Sequence, residues 1–555
     1  MSTSAWTDLL SRRSFIELSA RARARALLDE RSFRELVGPF ERVKSPWLPL
    51  QGVVAQSDDG VVIARGRLGG VDAVVAAIEG AFQGGSIGEV SGSKIAAALE
   101  LALHSCERSR PIVPVLILET GGVRLQEANL GLAAIAEIHA ALVALRRHVP
   151  VIGVICGLVG CFGGMSLAAA LCSTLIVTRQ ARLGMNGPEV IEQEAGVAEL
   201  DASDRRLVWS LMGGEQRHAM GFADALLEDD VAAIAAAVHA AARAAPPAPR
   251  TLAVEHFISR LAAEAPAAPP ASREPAWRGE TPTAASRGRT WFGALAMCAG
   301  ALEGGLRSVL RADAPLGGES ARFLAVVPDP SNRFARARHG ELGLEEAWTL
   351  VREIRAALHA DAGRVPRPIV AIVDVSSQAY GREEERLGIH LACAAAVDAY
   401  ASARLAGHPV IALLVGKAMS GAFLAHGYQA NRMLALDAPG VLVHAMGKQA
   451  AARVTHRSVE DLERLGERIA PMAYDVRSFA SLGLLHELIE GVDAGEPRPG
   501  DVERVRAALI RAVADARTGG TDLSGRLSNA AAGRTRAASI EVHRRVAEQW
   551  SEPGP

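Results

Sequence analysis

The sequence predicts an α/β chain made of two homologous halves, and three observations carry that reading. A nearly unbroken aliphatic run, Ile112 to Leu118, ends in Glu119-Thr120-Gly121-Gly122, the pattern of a buried strand that turns into a helix. A second run, Pro368 to Asp374, also ends in an acidic residue followed by small ones, Ser376 and Ser377. The aliphatic runs that come next, Pro150 to Gly157 and Pro409 to Gly416, keep the same offset: 257 residues separate Pro111 from Pro368, and 259 separate Pro150 from Pro409. Recurrence at nearly constant spacing marks an internal duplication, each half repeating one αβ unit.

Length and charge fit this picture. A chain of 555 residues is long enough for two large domains. Its 60 basic and 62 acidic residues nearly cancel, so nothing in the balance points to nucleic acid or an anionic membrane. Cys106, Cys156, Cys161, Cys172, Cys298 and Cys393 are scattered, and no pair has CxxC spacing. That pattern suits reduced core thiols in a cytoplasmic protein better than disulfides or a metal site. The start, with Trp6, Arg12 and Arg13, lacks the apolar core of a signal peptide. Val151 to Val177 carries no charge over 27 residues, long enough for a membrane span. Its five glycines, and Lys417 and His426 in the equivalent stretch, read instead as strand, loop and helix.

In chain order, an amphipathic helical entry up to about residue 50, with a basic, solvated face from Arg21 to Arg34, leads to Val61–Leu68 and Val71–Ile78. These are two apolar runs joined by Gly69-Gly70, which predicts a hairpin. A helix is expected from about Lys94; the glycines before it lack the spacing of a phosphate loop. The first half is expected over 1–245. Residues 246–285 form a linker, since Pro246 to Pro282 contains eight prolines in 37 residues. The second half is expected over 286–515, with helices over Leu342 to His359 and Gly388 to Leu405. A tail over 516–555 reads as an exposed arm with a terminal helix.

The chemistry lies in the turns. Gly121 and Gly122 have no Cβ and open a helix, so a ligand can approach main-chain N–H groups that carry partial positive charge. Each half offers a second such turn, Gly157 to Ser166 and Gly416 to Phe423. Two turns on neighbouring strands can aim two amides at one carbonyl oxygen and hold a thioester enolate. A tight strand-to-helix turn with no ligand would show the same glycines.

Gly84 to Gly88, Thr120 to Glu127 and Gly184 to Gln193 resemble, in that order, the carboxyltransferase β-type domain of acyl-CoA carboxylases. Gln378 to Glu385, Gly416 to Gly427 and Val443 to Lys448 resemble the γ subunit of biotin-independent malonate decarboxylase, and the first half then resembles its β subunit. The resemblance implies two crotonase-like domains of ββα units, with the active site where they meet. It implies decarboxylation of a malonyl thioester on an acyl carrier protein, to acetyl thioester and carbon dioxide. The carrier would supply a dephospho-CoA-type prosthetic arm; no biotin, no metal and no covalently bound cofactor are implied. The implied partners are the carrier and a separate acyl-carrier transferase (alpha) subunit in a heteromeric complex, with no nucleic acid and no membrane. By matching position, Gly121, Gly122, Gly163 and Gly164 line one oxyanion hole and Ser377, Gln378, Ser420 and Gly421 the other. The second hole is expected to take the thioester, because its half also supplies Tyr380, His426 and His444 as candidate proton donors. Arg124, Arg382 and Lys417 are candidates for holding the carboxylate or the arm's phosphates.

Three other readings use the same residues. A biotin-dependent acyl-CoA carboxyltransferase would share the turns, although no Ala-Met-Lys-Met motif is present. Ala418-Met419-Ser420-Gly421-Ala422 has the cadence of a nucleophile elbow, which would suit serine acyl transfer. A non-catalytic docking scaffold for the carrier would need only the surface.

Overall fold

The computed structural model describes residues 12–264, 285–297 and 305–551. Cys298 and the proline-rich stretch 265–284 lie outside the described residues.

Each half is built on a hairpin and a run of parallel strands. After β1 (Arg34–Leu36), the first half pairs β2 (Val61–Leu68) antiparallel with β3 (Val71–Ile78), Leu68 opposite Val71. Gly69 and Gly70 both have positive φ, +56° and +85°, the backbone a two-residue turn needs to follow strand twist. Helix α1 (Glu89–Glu107), β4 (Val113–Ile117), α2 (Ala128–Leu145), β5 (Ile152–Ile155), α3 (Gly164–Leu171), β6 (Thr174–Thr178) and β7 (Ala225–Leu227) follow. The sheet runs β1 to β7 in sequence order, parallel from β3 onward. All of β4 is buried, as expected of a parallel strand covered by helices on its faces. The second strand of each ββα unit is reduced to single bridging residues, Thr120, Cys161 and Leu183, which pair in series.

The first half closes with α4 (Val254–Ala263). The second half repeats the plan: β8 (Val309–Leu316), β9 (Glu319–Val326), α5 (Leu344–Ala360), β10 (Ile369–Val375), α6 (Ile389–Leu405), β11 (Val410–Met419), α7 (Ser420–Ala425) and β12 (Arg432–Leu436). Its hairpin again turns on two glycines, Gly317 and Gly318. Strand β13 (Leu442–His444) pairs in parallel with the end of β11, and β14 (Glu487–Ile489) closes the sheet beside β12. Helix α8 (Ala537–Ser551) ends the described chain.

The halves meet through α2, α3, α6 and α7, which pack together. Every residue of α2 is therefore buried, although the helix is apolar and long enough to cross a membrane. The uncharged stretch from Val151 resolves into β5, a turn, α3 and β6, within the sheet and its helical cover.

Three expectations change. Residues 250–263 are not linker: Val254, Phe257 and Leu261 are buried, and the Phe257 ring stacks on Trp348 of the second half at 5.3 Å. The prolines around this segment obscured the helical spacing of its apolar face. The tail is no exposed arm either. α8 packs on α1 of the first half, with Val542 and Val546 fully buried, and the Ser539 N–H donates to Glu89 Oε1 (2.9 Å). Arg23, expected on a solvated face, is buried and donates to the Phe15 carbonyl (3.0 Å).

Arg536, just before α8, pairs with Glu137 of α2 at 2.9 Å, and both side chains are almost wholly buried. Removing one partner of such a pair leaves the other charge desolvated, at about 3–5 kcal/mol. Arg536→Ala should therefore lower unfolding stability by about that amount in a denaturant titration, and Arg536→Ala with Glu137→Leu should recover much of the loss.

Candidate active site

A cavity of about 380 Å³ opens between the halves and takes its walls from both. Its floor is the meeting of two turns. After β4, the Gly121 N–H donates to the Gly84 carbonyl (2.9 Å), and the Gly122 N–H donates to Thr120 Oγ1 (3.0 Å). Ile87 donates to the Gly122 carbonyl and accepts from the Arg124 N–H, both at 2.8 Å. Val123 sits between these bonds, bridged to Ile87 with its own N–H turned to the opposite side. On the second turn, the Gly163 N–H donates to the Met185 carbonyl (3.0 Å). Gly122 and Gly163 both have positive φ, and a Cβ on either would lie 3.2 Å from the other's Cα. Two turns can approach this closely only as glycines. Gly164 then opens α3, where a first-turn amide has no helical acceptor. Among the described residues, neither the Val123 nor the Gly164 N–H has a protein acceptor, and both residues line the cavity. Two adjacent donors facing a largely apolar wall of Leu125, Leu132, Leu424 and Met446 are the equipment of an oxyanion hole.

The second half repeats the turns with a different outcome. The Leu342 N–H donates to the Ser377 carbonyl and the Ala379 N–H to the Leu342 carbonyl, both at 3.0 Å, which puts Gln378 where the first half has Val123. Ser420 holds φ at +58°, against +59° for Gly163, and Gly421 takes the place of Gly164. Here the Gly421 N–H donates to Gln378 Oε1 (3.1 Å), while Gln378 Nε2 donates to Asn186 Oδ1 of the first half (2.7 Å). A side-chain carbonyl therefore occupies the Gly421 donor of the second hole. The first half's amides, rather than the pair expected to take the thioester, both face the open cavity. The two helix starts are also pressed against the opposite halves, since a Cβ on Gly164 would sit 2.7 Å from Leu424 and one on Gly421 would collide with Met185.

Comparison with known proteins matches this two-part plan. A carboxyl transferase domain model matches residues 17–265, and a model of the malonate decarboxylase gamma subunit matches 337–550. A Malonomonas rubra protein named malonyl-S-ACP:biotin-protein carboxyltransferase MADC is 44% identical over 236 residues, 41% of this chain and 74% of the relative. The chain belongs to the malonate decarboxylase family. It joins β-like and γ-like parts in one polypeptide with the carboxyltransferase, crotonase-like fold. A second M. rubra protein, named as MADD of the same activity, is 33% identical over 191 residues, 34% of this chain and 62% of the relative. A chain from a Pseudomonas malonate decarboxylase hetero-tetramer in complex with malonate is 61% identical, covering 48% of this chain and 96% of that one, with TM-score 0.47.

In this malonate decarboxylase relative, the expected site residues separate into three groups. Gly121, Gly163, Gly164, Gln378, Tyr380, Ser420 and Gly421 line the cavity. Gly121, Gly122 and Gly163 spend their own N–H groups within the turns, so their part is close approach rather than donation. Ser377 and Tyr380 line an adjoining groove of about 600 Å³, with Lys417, Lys448 and Arg453 along it. The remaining residues are occupied elsewhere. Arg124 is buried against Asp59 (2.8 Å) and Glu127 (2.8 Å) and braces the first turn. His426 is enclosed between Tyr400 Oη (2.9 Å) and the Ile372 carbonyl (3.1 Å), and burial pushes it down to about 4. His444 Nδ1 lies 2.8 Å from the Met446 carbonyl and its ring stacks on Tyr474; burial likewise pushes it down to about 4. Arg382 is fastened through its backbone N–H to Glu199 (2.8 Å) and does not line the cavity. Both ring nitrogens of His426 are thus engaged, so it offers Ser420 no free nitrogen.

Sequence reasoning missed Val123, Arg182, Asn186 and Glu385. Arg182 lines the cavity, donates to the Leu158 (2.8 Å) and Val159 (3.0 Å) carbonyls and lies over the Phe162 and Trp209 rings. Glu385 reaches from the second half to accept from the Met185 (3.1 Å) and Asn186 (2.7 Å) N–H groups and from Asn186 Nδ2 (3.0 Å). The signal for Asn186 was its place in the Gly184 to Gln193 motif; Glu385 closed a quoted motif but had no local mark of its reach.

Burial raises Glu385 from 4.5 to about 7, against the charge of Arg217. A carboxyl raised on folding contributes stability that is full below its unfolded value and lost as pH rises through its folded value. Melting temperature should therefore fall as pH rises from about 5 to about 7 and level off above that, and Glu385→Gln should flatten that fall.

Proposed function

We propose that this chain decarboxylates a malonyl thioester carried on an acyl carrier protein, giving acetyl thioester and carbon dioxide. The observation that carries this reading is the pair of open amides, Val123 and Gly164, facing a cavity that both halves line, with a largely apolar wall. The thioester carbonyl oxygen accepts both N–H groups. The bond from the α-carbon to the carboxylate breaks, its electron pair moves to the thioester as an enolate, and the amides hold the charge gathering on oxygen. Loss of one such donor typically costs about 3–4 kcal/mol of barrier. Leu125, Leu132 and Met446 disfavour the charged carboxylate and accept the neutral carbon dioxide. Arg182 orients the carboxylate at the cavity wall. Tyr380, shared by cavity and groove, gives its hydroxyl proton to the enolate carbon and regains one from solvent.

The groove with Lys417, Lys448 and Arg453 suits the phosphates of a dephospho-CoA-type arm arriving on the carrier. This reading uses neither biotin nor metal. A separate acyl-carrier transferase subunit loads the malonyl group within a heteromeric complex; the Pseudomonas relatives are described as a hetero-tetramer and an MdcD-MdcE hetero-dimer. We place the reaction in the cytoplasm, where the free buried thiols Cys156, Cys161, Cys172 and Cys393 stay reduced. A second reading, carboxyl transfer to a biotin protein, is favoured by the names of the M. rubra relatives.

Purified chain given malonyl-carrier should release carbon dioxide at a rate that excess avidin does not change; loss of activity with avidin would establish the second reading. In heavy water the chain should also exchange the methyl hydrogens of acetyl-carrier, and no exchange would rule out the enolate. Tyr380→Phe should lower kcat about 10²- to 10⁴-fold with little change in KM.

A further inference from the structure

The filled hole in the second half has a chemical meaning if the decarboxylase reading above holds. The two halves present pseudo-equivalent holes to one cavity, since Gly164 and Gly421 both line it. An enzyme that moves a carboxyl group from one carbonyl compound to another needs both: one hole polarises the donor thioester, and the other positions the acceptor. Only the first has both donors open. In the second, Gln378 offers a planar carboxamide whose oxygen takes the Gly421 N–H (3.1 Å). Its nitrogen is tied to Asn186 Oδ1 (2.7 Å), and Asn186 is itself held by Glu385 Oε1 (3.0 Å) and the Ala379 carbonyl (3.1 Å). Gln378 is 3% exposed, so the carboxamide is clamped from both halves. The first half's counterpart, Val123, has no polar group with which to fill its own hole.

We infer that Gln378 is a specificity-determining residue: its carboxamide occupies the seat of a carboxyl acceptor of the cyclic-urea class, so the carboxyl group leaves as free carbon dioxide. A urea carbonyl oxygen would claim the same Gly421 amide, and its ring nitrogen would face the departing carboxyl group across the cavity. With the seat vacated, the α-carbon to carboxyl bond would break as before. The carboxyl carbon would then bond to the urea nitrogen, and the proton from that nitrogen would pass to the enolate carbon. The products would be acetyl thioester and an N-carboxyurea, with no oxidant or reductant needed.

The test uses the full chain, malonyl-carrier labelled in the free carboxyl, and free biotin as the urea. The parent should release label only as carbon dioxide, at a rate independent of biotin. Gln378→Ala should place label in acid-labile carboxybiotin at least tenfold above the parent, rising with biotin concentration. Asn186→Ala, which removes the clamp's other end, should do so in smaller measure. Gln378→Glu, which keeps an oxygen in the seat, should not. Carboxybiotin formed by the parent overturns the inference, as does a folded Gln378→Ala that releases carbon dioxide yet forms none. If Gln378→Ala does not fold, biotin titrated into the parent decides: no inhibition supports the filled seat, and competitive inhibition overturns it. A parent that releases no carbon dioxide from malonyl-carrier fails the decarboxylase reading itself, and this inference with it. Carbon dioxide from the parent without transfer by a folded variant fails this inference alone.

Discussion

Two peptide N–H groups without a protein acceptor among the described residues, at a point where two glycine turns touch, are the constraint on which the rest of the site depends. Buried backbone donors are nearly always paired, and the neighbours of Val123 and Gly164 obey that rule. Gly121 bonds Gly84, Gly122 bonds Thr120, and Gly163 bonds Met185. The two exceptions persist because the surrounding bonds leave them no room to turn. Arg124, braced by Asp59 and Glu127, holds one turn; the contact of Gly122 with Gly163 holds it against the other. Preorganised dipoles of this kind need no rearrangement when charge develops near them.

The lobe interface imposes the second constraint. Duplication alone would give two equivalent holes, yet the halves have diverged where they meet. Asn186 and Glu385 form a polar bridge from the first half's loop to the second half's turn, and Gln378 is caught in it. A valine at the equivalent position in the first half leaves that hole open. Polar residues buried this deeply cost more than they return unless each is satisfied, so the bridge fixes the relative seating of the lobes along with the fate of the second hole. Helix α4 and the terminal helix α8 reinforce the seating from outside, each carried by one half in sequence and packed on the other.

The sequence by itself determined whatever depends on local pattern. Aliphatic runs that end in glycine pairs specify strands and turns, Gly69-Gly70 specifies a hairpin, and the offset of the prolines specifies duplication, because each signal lies within a few residues of the structure it makes. Tertiary structure decided which groups reach the cavity. Arg124, His426 and His444 carry the right chemistry in the right motifs, but partners distant in sequence, Asp59, Ile372 and Tyr474 among them, engage them first. Apolar spacing in α4 was lost among prolines, and nothing local to Val542 and Val546 names the helix they cover. Whether an amide is spent or free depends on acceptors from other strands and from the opposite half, and no short window of sequence contains both ends of such a bond.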